Sequence, residues 1–354
     1  MKIVYILAAI LIFGLLIAIH EFGHFIAAKL CGVKVNEFAI GMGPLLWQSE
    51  KGETLYSLRA LPIGGYCAME GEDEDTGDSR SFVSKPLWKK FLILVAGTAM
   101  NFLTGLAIIL VLFSSAGGFY VDRFAGFADG FPLEGENGLM VGDIVYKVDG
   151  YRAYLSGDTS MFLSYHDGPD IDLEIIRNGE HIVLEDFPMV RRDYDGNGQL
   201  RFGVSIGVEA VPKTFGTWLQ YSWYQALDFV QLVWFSLVQL VSGNVGIQEL
   251  GGPVMIMGTI AEVGAASEST AAAVQSIASI AAFIAVNLAV MNLLPVPGLD
   301  GGRILFLAVD AVSLLLFRKK VPEKYQAAIN MGGMVLLLGF MVLITVKDVL
   351  QVFR

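Results

Sequence analysis

His20-Glu21-Phe22-Gly23-His24 ends an apolar stretch that begins at Ile3 and contains no charged residue before the motif. Residues i and i+4 of a helix lie on one face, so the two histidines could bind one metal ion together. Glu21 lies beside them and could accept a proton from water. Burying two histidines and a carboxylate in an apolar segment is costly unless they are paired, metal-bound or functional. The stretch therefore predicts a zinc site at membrane depth.

The composition is typical of a membrane protein. Hydrophobic residues make up 54% of the chain and charged residues 17%, whereas soluble proteins contain about 25% charged residues. The formal net charge of −11 argues against a nucleic-acid partner. Cys31 and Cys67 form no CxxC motif, which predicts free buried thiols rather than a disulfide framework.

Four segments are long and apolar enough to cross a bilayer. They are residues 3–19 continuing through the motif to 30, about 91–113, a part of 271–294, and roughly 331–346. Lys2 precedes the first segment as it would in a signal peptide, but no small-residue cleavage site follows. We therefore expect the first segment to be retained as a membrane helix.

Basic residues near the segment ends predict the orientation, because cytoplasmic loops carry an excess of lysine and arginine. They precede the second segment and lie between the third and fourth, at Lys85, Lys89, Lys90, Arg318, Lys319, Lys320 and Lys324. Both loops are therefore expected in the cytoplasm. The amino terminus, the polar segment after the second span and the carboxyl terminus are expected outside.

The segment 214–241 allows two interpretations. Its only charged residue is Asp228, so it could be a fifth span. A fifth span would place Arg318 outside and would separate Asp300 from His24 across the membrane. The many tryptophans, tyrosines and glutamines are typical of a membrane surface. We favour one or two helices on the outer surface, with a span as the alternative.

A catalytic zinc site needs three protein ligands and one open position. His166 and His181 lie in the polar segment and are interpreted as ordinary exposed histidines. Asp300 follows a long apolar segment, in Asn292-Leu293-Leu294-Pro295-Val296-Pro297-Gly298-Leu299-Asp300-Gly301-Gly302. The prolines and glycines predict a helix break that leaves this carboxylate free to turn towards a ligand. Asp300 is the predicted third ligand, although an aspartate before two glycines is also typical of a turn or a helix cap.

These motifs together resemble those of the site-2 proteases, which cut peptide bonds inside membranes, and in particular the bacterial regulator of sigma-E proteases. His20–His24 is similar to the HExxH motif of that family, and Asn292–Asp300 is similar to its NxxPxPxLDG segment. The resemblance covers nearly the whole chain. It also includes Gly97 and Asn101, which resemble the GxxxN of the second span.

The resemblance implies a set of site residues. His20, His24 and Asp300 would bind Zn²⁺, and Glu21 would activate the water. Residues that would bind the substrate backbone or stabilise the transition state are Asn287, Asn292, Gly64, Gly65 and Tyr66. The β-hairpin that contains the last three would pair with an unwound stretch of substrate helix.

The resemblance also implies a biological setting. The substrates would be single-span membrane proteins, such as anti-sigma factors or remnant signal peptides, in the bacterial cytoplasmic (inner) membrane. A PDZ domain outside the membrane would act as a size filter and admit substrates after an upstream protease has trimmed their outer portion. The active site would lie towards the cytoplasmic face.

The predicted fold is a polytopic α-helical membrane protein with four transmembrane helices, a membrane-associated β-hairpin or sheet and one inserted α+β PDZ domain. Within the β region, 38–44 and 54–59 are predicted as short strands and 64–66 as a tight turn or bulge. The predicted segments are the first span with HExxH at 1–32, a cytoplasmic-side glycine-rich β region at 33–88, the second span at 89–116, the PDZ domain at 119–207, interfacial amphipathic helices at 208–268, the third span with NxxPxPxLDG at 269–317, and a cytoplasmic loop, the fourth span and the carboxyl terminus at 318–354.

Two rival functions remain open at this point. One is a non-catalytic membrane scaffold that carries a PDZ domain and a decayed metal site. The other is a soluble-type zinc protease with a membrane anchor, which would need its third ligand in a polar domain. The complete set of Glu21, His20, His24 and Asp300 favours an intramembrane protease over both.

Overall fold

A computed structural model describes residues 2–72, 76–246, 251–319 and 322–352. Lys320, used above to predict the orientation, lies outside the described residues. The chain divides into two compact units. One unit consists of Met1–Ile108 and Val233–Arg354, and the other of Ile109–Leu232.

Helices dominate the described part of the chain, which contains α1 (Lys2–Leu30), α2 (Leu87–Ser114), α3 (Asp158–Tyr165), α4 (Phe215–Val241), α5 (Pro253–Ala266), α6 (Thr270–Asn292), α7 (Asp300–Phe317) and α8 (Glu323–Val352). Five of them, α1, α2, α4, α6 and α8, are long and apolar enough to cross a membrane. The chain is therefore a multi-pass membrane protein. Four of the five helices coincide with the four predicted spans. The fifth, α4, is one continuous helix over the segment with two interpretations, so its place in or on the membrane stays a prediction.

The third predicted span is two helices rather than one. Helix α6 ends at Asn292 and α7 begins at Asp300, with residues 293–299 between them. This is the break expected from the prolines and glycines. Helix α5 has 14 residues and is thus about 21 Å long, which is too short to cross a hydrocarbon core of about 30 Å.

A shared buried core joins α1, α5 and α6. It contains Ala9, Leu16, Ile260, Ile284 and Ala285. The hydrophobic driving force is missing between helices in lipid, so van der Waals packing of such side chains holds the helices together. This packing supports the end of α6, from which the chain continues to Asp300.

The β region differs from the prediction. Strands β1 (Val35–Lys51) and β2 (Thr54–Met69) are much longer than the two short strands expected. Residues 37–40 pair with 55–58 and also with 65–68. Gly64-Gly65-Tyr66 was predicted as a tight turn or a bulge. It lies inside β2, where the pairing register with β1 shifts between Gly65 and Leu61, so the structure agrees with the bulge and not with the turn. The chain bends there because Gly64 has a φ of 90°, a conformation that favours glycine.

The second pairing leaves residues 65–69, which we call the edge segment, at the border of the sheet. Val35 to Ile40 pair with one side of this segment. Among the described residues no other strand pairs with its second side. A buried cluster that includes Ala27, Val35, Phe38, Cys67 and Ile93 packs the sheet against α1 and α2. The edge segment is thus held close to the helix that carries His20 and His24.

The second unit contains an α+β segment at the position where the inserted domain is predicted. Its strands are β3 (Gly118–Phe127), β4 (Ile144–Val148), β5 (Tyr151–Arg152), β6 (Ile171–Arg177), β7 (Glu180–Phe187) and β8 (Val204–Pro212). The sheet has the order β7-β6-β4-β3-β8, with β5 on β4, and helix α3 follows β5. Strands β3 and β8 pair from Gly118 with Pro212 to Phe127 with Val204, so the segment begins and ends side by side. Strand β8 continues beyond the predicted boundary at residue 207, into the part predicted as interfacial helices.

Candidate metal centre

His20 and His24 lie one turn apart on α1 and face the interior of their unit. They are only 8% and 6% exposed, whereas many apolar side chains of α1 are exposed. Their Nε2 atoms are 3.2 Å apart. The i, i+4 spacing therefore brings both imidazoles to one point, as the motif predicts.

Asp300 reaches the same point from the first turn of α7. Its Oδ2 atom lies 3.2 Å from Nε2 of His20 and 3.2 Å from Nε2 of His24. The break between α6 and α7 makes this possible, because it places the carboxylate at a helix start instead of along a continuous span. The two histidines and the aspartate predicted from distant parts of the sequence are thus brought together.

The three atoms fit a zinc ion. Tetrahedral zinc with bonds of about 2.0–2.1 Å separates neighbouring ligand atoms by about 3.3 Å, close to the three separations of 3.2 Å. Oδ2 of Asp300 is also buried without a hydrogen-bond partner, and a bound cation would remove the cost of that arrangement. Among the described residues, His20, His24 and Asp300 form the only group of at least three histidine, cysteine or acidic side chains whose ligand atoms all lie within 4.8 Å of one another.

Both histidines have a second contact that orients the ring. Nδ1 of His24 donates to the carbonyl oxygen of Ile93 at 2.8 Å, which leaves Nε2 unprotonated and able to bind a metal. Nδ1 of His20 lies 3.4 Å from Nδ2 of Asn101. If Nε2 of His20 binds a metal, Nδ1 carries the proton, so the Asn101 amide must be turned over to present its oxygen in place of its nitrogen. The oxygen is buried without a partner in its present position, and the turned amide would give it one.

Helix α2 contacts the histidines at Gly97. A Cβ atom at this position would lie 2.3 Å from Nε2 of His24 and 2.9 Å from Cε1 of His20. The close approach of α2 therefore requires glycine. From the sequence, Gly97 and Asn101 were recognised only as part of a motif that resembles GxxxN, and their contact with the metal-binding histidines was missed. The GxxxN spacing, which places both on one helix face, was the signal that could have found it.

Glu21 and the edge segment line a cavity of about 330 Å³ next to the three candidate ligands. The edge segment lies next to α1, since a Cβ atom on Gly65 would be in van der Waals contact with Cγ of Glu21 at 3.5 Å. The lining residues from β2 and beyond are Tyr66, Cys67, Ala68, Met69 and Glu72, and those from the start of α7 include Asp300 and Arg303.

Polar contacts on the β sheet set the character of two of these side chains. The Tyr66 hydroxyl accepts a hydrogen bond from Nη2 of Arg59 at 2.6 Å. Burial raises the pKa of the Cys67 thiol above its usual range. The Cys67 sulfur is not among the ligand atoms that lie within 4.8 Å of one another, so it does not belong to the metal-binding group.

The remaining predicted site residues lie elsewhere. Asn287 and Asn292 are half-buried on α6, and neither is among the described residues that line the cavity. Gly64 and Gly65 are part of β2 and do not line the cavity either, whereas Tyr66 does. The roles expected for the two asparagines therefore stay predictions.

Comparison with known proteins agrees with this geometry. Residues 8–340 match the family model described as peptidase family M50. A protein of Clostridium perfringens named as a zinc metalloprotease is 36% identical, and the match covers 98% of each chain. Zinc metalloprotease RasP of Shouchella clausii is 26% identical over 98% of this chain and 99% of its own. Membrane metalloprotease ARASP of Arabidopsis thaliana is 29% identical over 98% of this chain and 79% of its own.

The match over nearly the whole chain settles the class of protein and its metal. The relatives are named as zinc metalloproteases, so Zn²⁺ is the cofactor expected here, in agreement with the donor atoms found. The chain belongs to peptidase family M50, the site-2 proteases, and is a zinc metalloprotease of the membrane.

Proposed function

We propose that this protein hydrolyses peptide bonds within the membrane-spanning segments of single-span membrane proteins. His20, His24 and Asp300 hold the zinc ion, and Glu21 is the catalytic acid and base. The observation that supports this proposal best is the set of three ligand atoms 3.2 Å apart, one of them a buried carboxylate oxygen with no other partner.

Zinc supplies Lewis acidity when bound, which polarises a peptide carbonyl and makes water nucleophilic at neutral pH. Glu21 follows His20 directly and lines the same cavity. Its carboxylate accepts the proton of the attacking water and delivers that proton to the amine that leaves. The buried surroundings of the two histidines keep competing water away from their metal-binding nitrogens.

The edge segment is the proposed binding place for the substrate backbone. Peptide carbonyls inside a helix are engaged in hydrogen bonds, so a membrane helix must unwind before it can be cut. An unwound peptide can add to a sheet border as a further strand. Residues 65–69 have one side without a strand partner among the described residues, and 66–69 line the cavity with Glu21. Asn287 and Asn292 are kept as expected contacts of the substrate or transition state.

The finer biological setting is part of the same proposal. The α+β segment from β3 to β8 is proposed to be a PDZ domain outside the membrane, which admits substrates trimmed by an upstream protease. Its six strands, its single short helix and its adjacent ends agree with an inserted domain of that kind. Anti-sigma factors and remnant signal peptides are the proposed substrates, the bacterial inner membrane is the proposed location, and the zinc site is proposed to face the cytoplasm.

The Glu21→Gln variant tests the catalytic assignment. In proteoliposomes with a single-span substrate, this variant should keep its zinc and lose cleavage, because glutamine cannot accept the proton. Glu268→Gln is the matched control, since Glu268 is exposed in the turn before α6 and touches no part of the site. Cleavage by Glu21→Gln at the wild-type rate would remove Glu21 from the mechanism. Wild-type protein that neither retains zinc nor cuts a membrane substrate would favour the scaffold function instead.

A further inference from the structure

We propose that Glu72 and Arg303 act as positioning residues for this reaction, forming an ion pair that sets the distance between the edge segment and Asp300. The proposal rests on the function proposed above, because it concerns how a peptide on the edge segment is aligned with the zinc ligands.

The ion pair joins the end of β2 to the helix that presents the carboxylate ligand. Arg303 follows Asp300 by three residues, so both side chains lie on one face of α7. Nη1 of Arg303 donates to Oε1 of Glu72. The other carboxylate oxygen of Glu72 accepts from the backbone N–H of Met69 at 3.4 Å. One carboxylate thus contacts both the last residue of β2 and α7.

The opposite end of the edge segment is held by α1. Gly65 faces α1, where an added Cβ atom would be in ordinary van der Waals contact, 3.5 Å from Cγ of Glu21 and 3.9 Å from Cγ2 of Ile17. Residues 66–69 extend between these two contacts and line the cavity. The edge is therefore held at one end on the helix with the catalytic base and at the other on the helix with the third ligand.

This arrangement determines where the carbonyl of a bound peptide lies. A peptide paired with the edge segment keeps its backbone hydrogen bonds even if the edge moves away from α7, so binding changes little. Its scissile carbonyl, however, moves with the edge relative to His20, His24 and Asp300. A displacement of 1 Å can reduce catalysis by about 100-fold. The pair should therefore act on kcat more than on KM.

Loss of the pair should leave the protein folded. The two side chains are 23% and 29% exposed, and ion pairs with this access to solvent contribute little to folding stability. The variant Glu72→Gln removes one charge at constant side-chain size, and Arg303→Gln removes the other charge with a shorter polar side chain. Their effects on cleavage can thus be compared in the intact membrane enzyme.

The test is a double-mutant cycle in proteoliposomes with one single-span substrate. Each single variant should lower kcat by roughly tenfold, with KM within about twofold of wild type and zinc content unchanged, as a partial misalignment of the carbonyl implies. The double variant should be no worse than either single variant, because the two residues act as one unit. Arg80→Gln is the matched control, since it breaks an arginine–glutamate pair with Glu53 on the same β region, outside the cavity.

Three outcomes would overturn the proposal. They are unchanged kcat in both single variants, losses that multiply in the double variant, and loss of zinc along with activity, which would show that the pair supports the metal site rather than the edge. Amide hydrogen exchange gives a readout that does not need cleavage. Exchange of the backbone amides of residues 66–69 should accelerate in Glu72→Gln and not in Arg80→Gln. Equal exchange in both variants would refute the role proposed for the ion pair, even if the enzyme cuts none of the substrates tested.

Discussion

Gly97→Ala is the most direct test of how the metal centre is built. The added Cβ atom would lie 2.3 Å from Nε2 of His24, whereas ordinary contact begins at 3.4 Å, so the imidazole would have to retreat by about 1 Å. Zinc–ligand distances tolerate changes of only about 0.2 Å. We therefore expect His24 to be displaced from the ligand set.

The expected loss of zinc affinity in Gly97→Ala follows from the displacement of a metal ligand. Disturbing a group that only orients a metal ligand weakens zinc binding by about 10–100-fold. Displacing a ligand itself should reach at least the upper end of that range, which corresponds to about 2.7 kcal/mol. Alanine also favours a helix more than glycine does. A loss of zinc in this variant would therefore arise from the contact with His24 and not from a weaker α2.

The assay is competition for zinc between a chromophoric chelator and the detergent-solubilised protein. Gly339→Ala serves as the matched control, because Gly339 also lies in a long apolar helix but a Cβ atom there meets nothing within 4 Å. Gly97→Ala should release its zinc at chelator concentrations at which Gly339→Ala and wild type keep theirs. Zinc affinity in Gly97→Ala equal to that of the control would refute the packing argument and the placement of α2 against the histidines.

Three further variants test other parts of the structure. Asp300→Ala should bind markedly less zinc by metal analysis, because it removes the carboxylate that contacts both histidines; unchanged zinc content would mean that the third ligand is another residue. Asn101→Leu should weaken zinc binding by about 10–100-fold in the same chelator competition, because His20 loses the partner of its Nδ1; wild-type affinity would speak against that contact. Burial raises the pKa of Asp158 from 3.8 to about 6, so the folded state binds the proton more tightly than the unfolded chain. The free energy of unfolding of the inserted unit should therefore fall as pH rises from about 4 to about 6, by at most on the order of 3 kcal/mol. Asp158→Asn should flatten this fall in urea titrations read by limited proteolysis, and an unchanged slope would assign it to another group.

The ligands could be predicted from the sequence because each has a strong local signal. The spacing of His20 and His24 needs only the period of a helix, and the apolar stretch before them predicts that helix well. Asp300 stands out because a carboxylate after a long apolar segment and a helix break has a high burial cost. What the sequence could not supply was the distance between these segments. The contacts of 3.2 Å depend on α5, which packs against both α1 and α6, and on the turn into α7.

The sheet was predicted less well, for a physical reason. Glycines and Pro44 interrupt the alternating pattern by which strands are recognised, so only short strands were expected at 38–44 and 54–59. Pairing with the rest of the chain decides strand length, and residues 37–40 have partners on both sides. Gly64 was predicted in a tight turn or a bulge because glycine, with its freedom of φ, is common in both. In the folded chain the same freedom bends β2 and creates the edge segment.

Two glycine contacts around the site explain why its neighbours were harder to predict than its ligands. Gly97 brings α2 against the imidazoles of His20 and His24, and Gly65 brings the edge segment against β1, where a Cβ atom would lie 2.9 Å from the carbonyl oxygen of Ala39. In both places what matters is a missing side chain, which has no chemical signature in a single sequence and becomes meaningful only when the facing atom is known. A site built in this way should be more sensitive to one added methyl group at Gly97 or Gly65 than to the exchange of a large apolar side chain on the exposed face of α8. Ligand chemistry can therefore be inferred from residue types, whereas the alignment of base, metal and substrate depends on backbones that touch where no side chain intervenes.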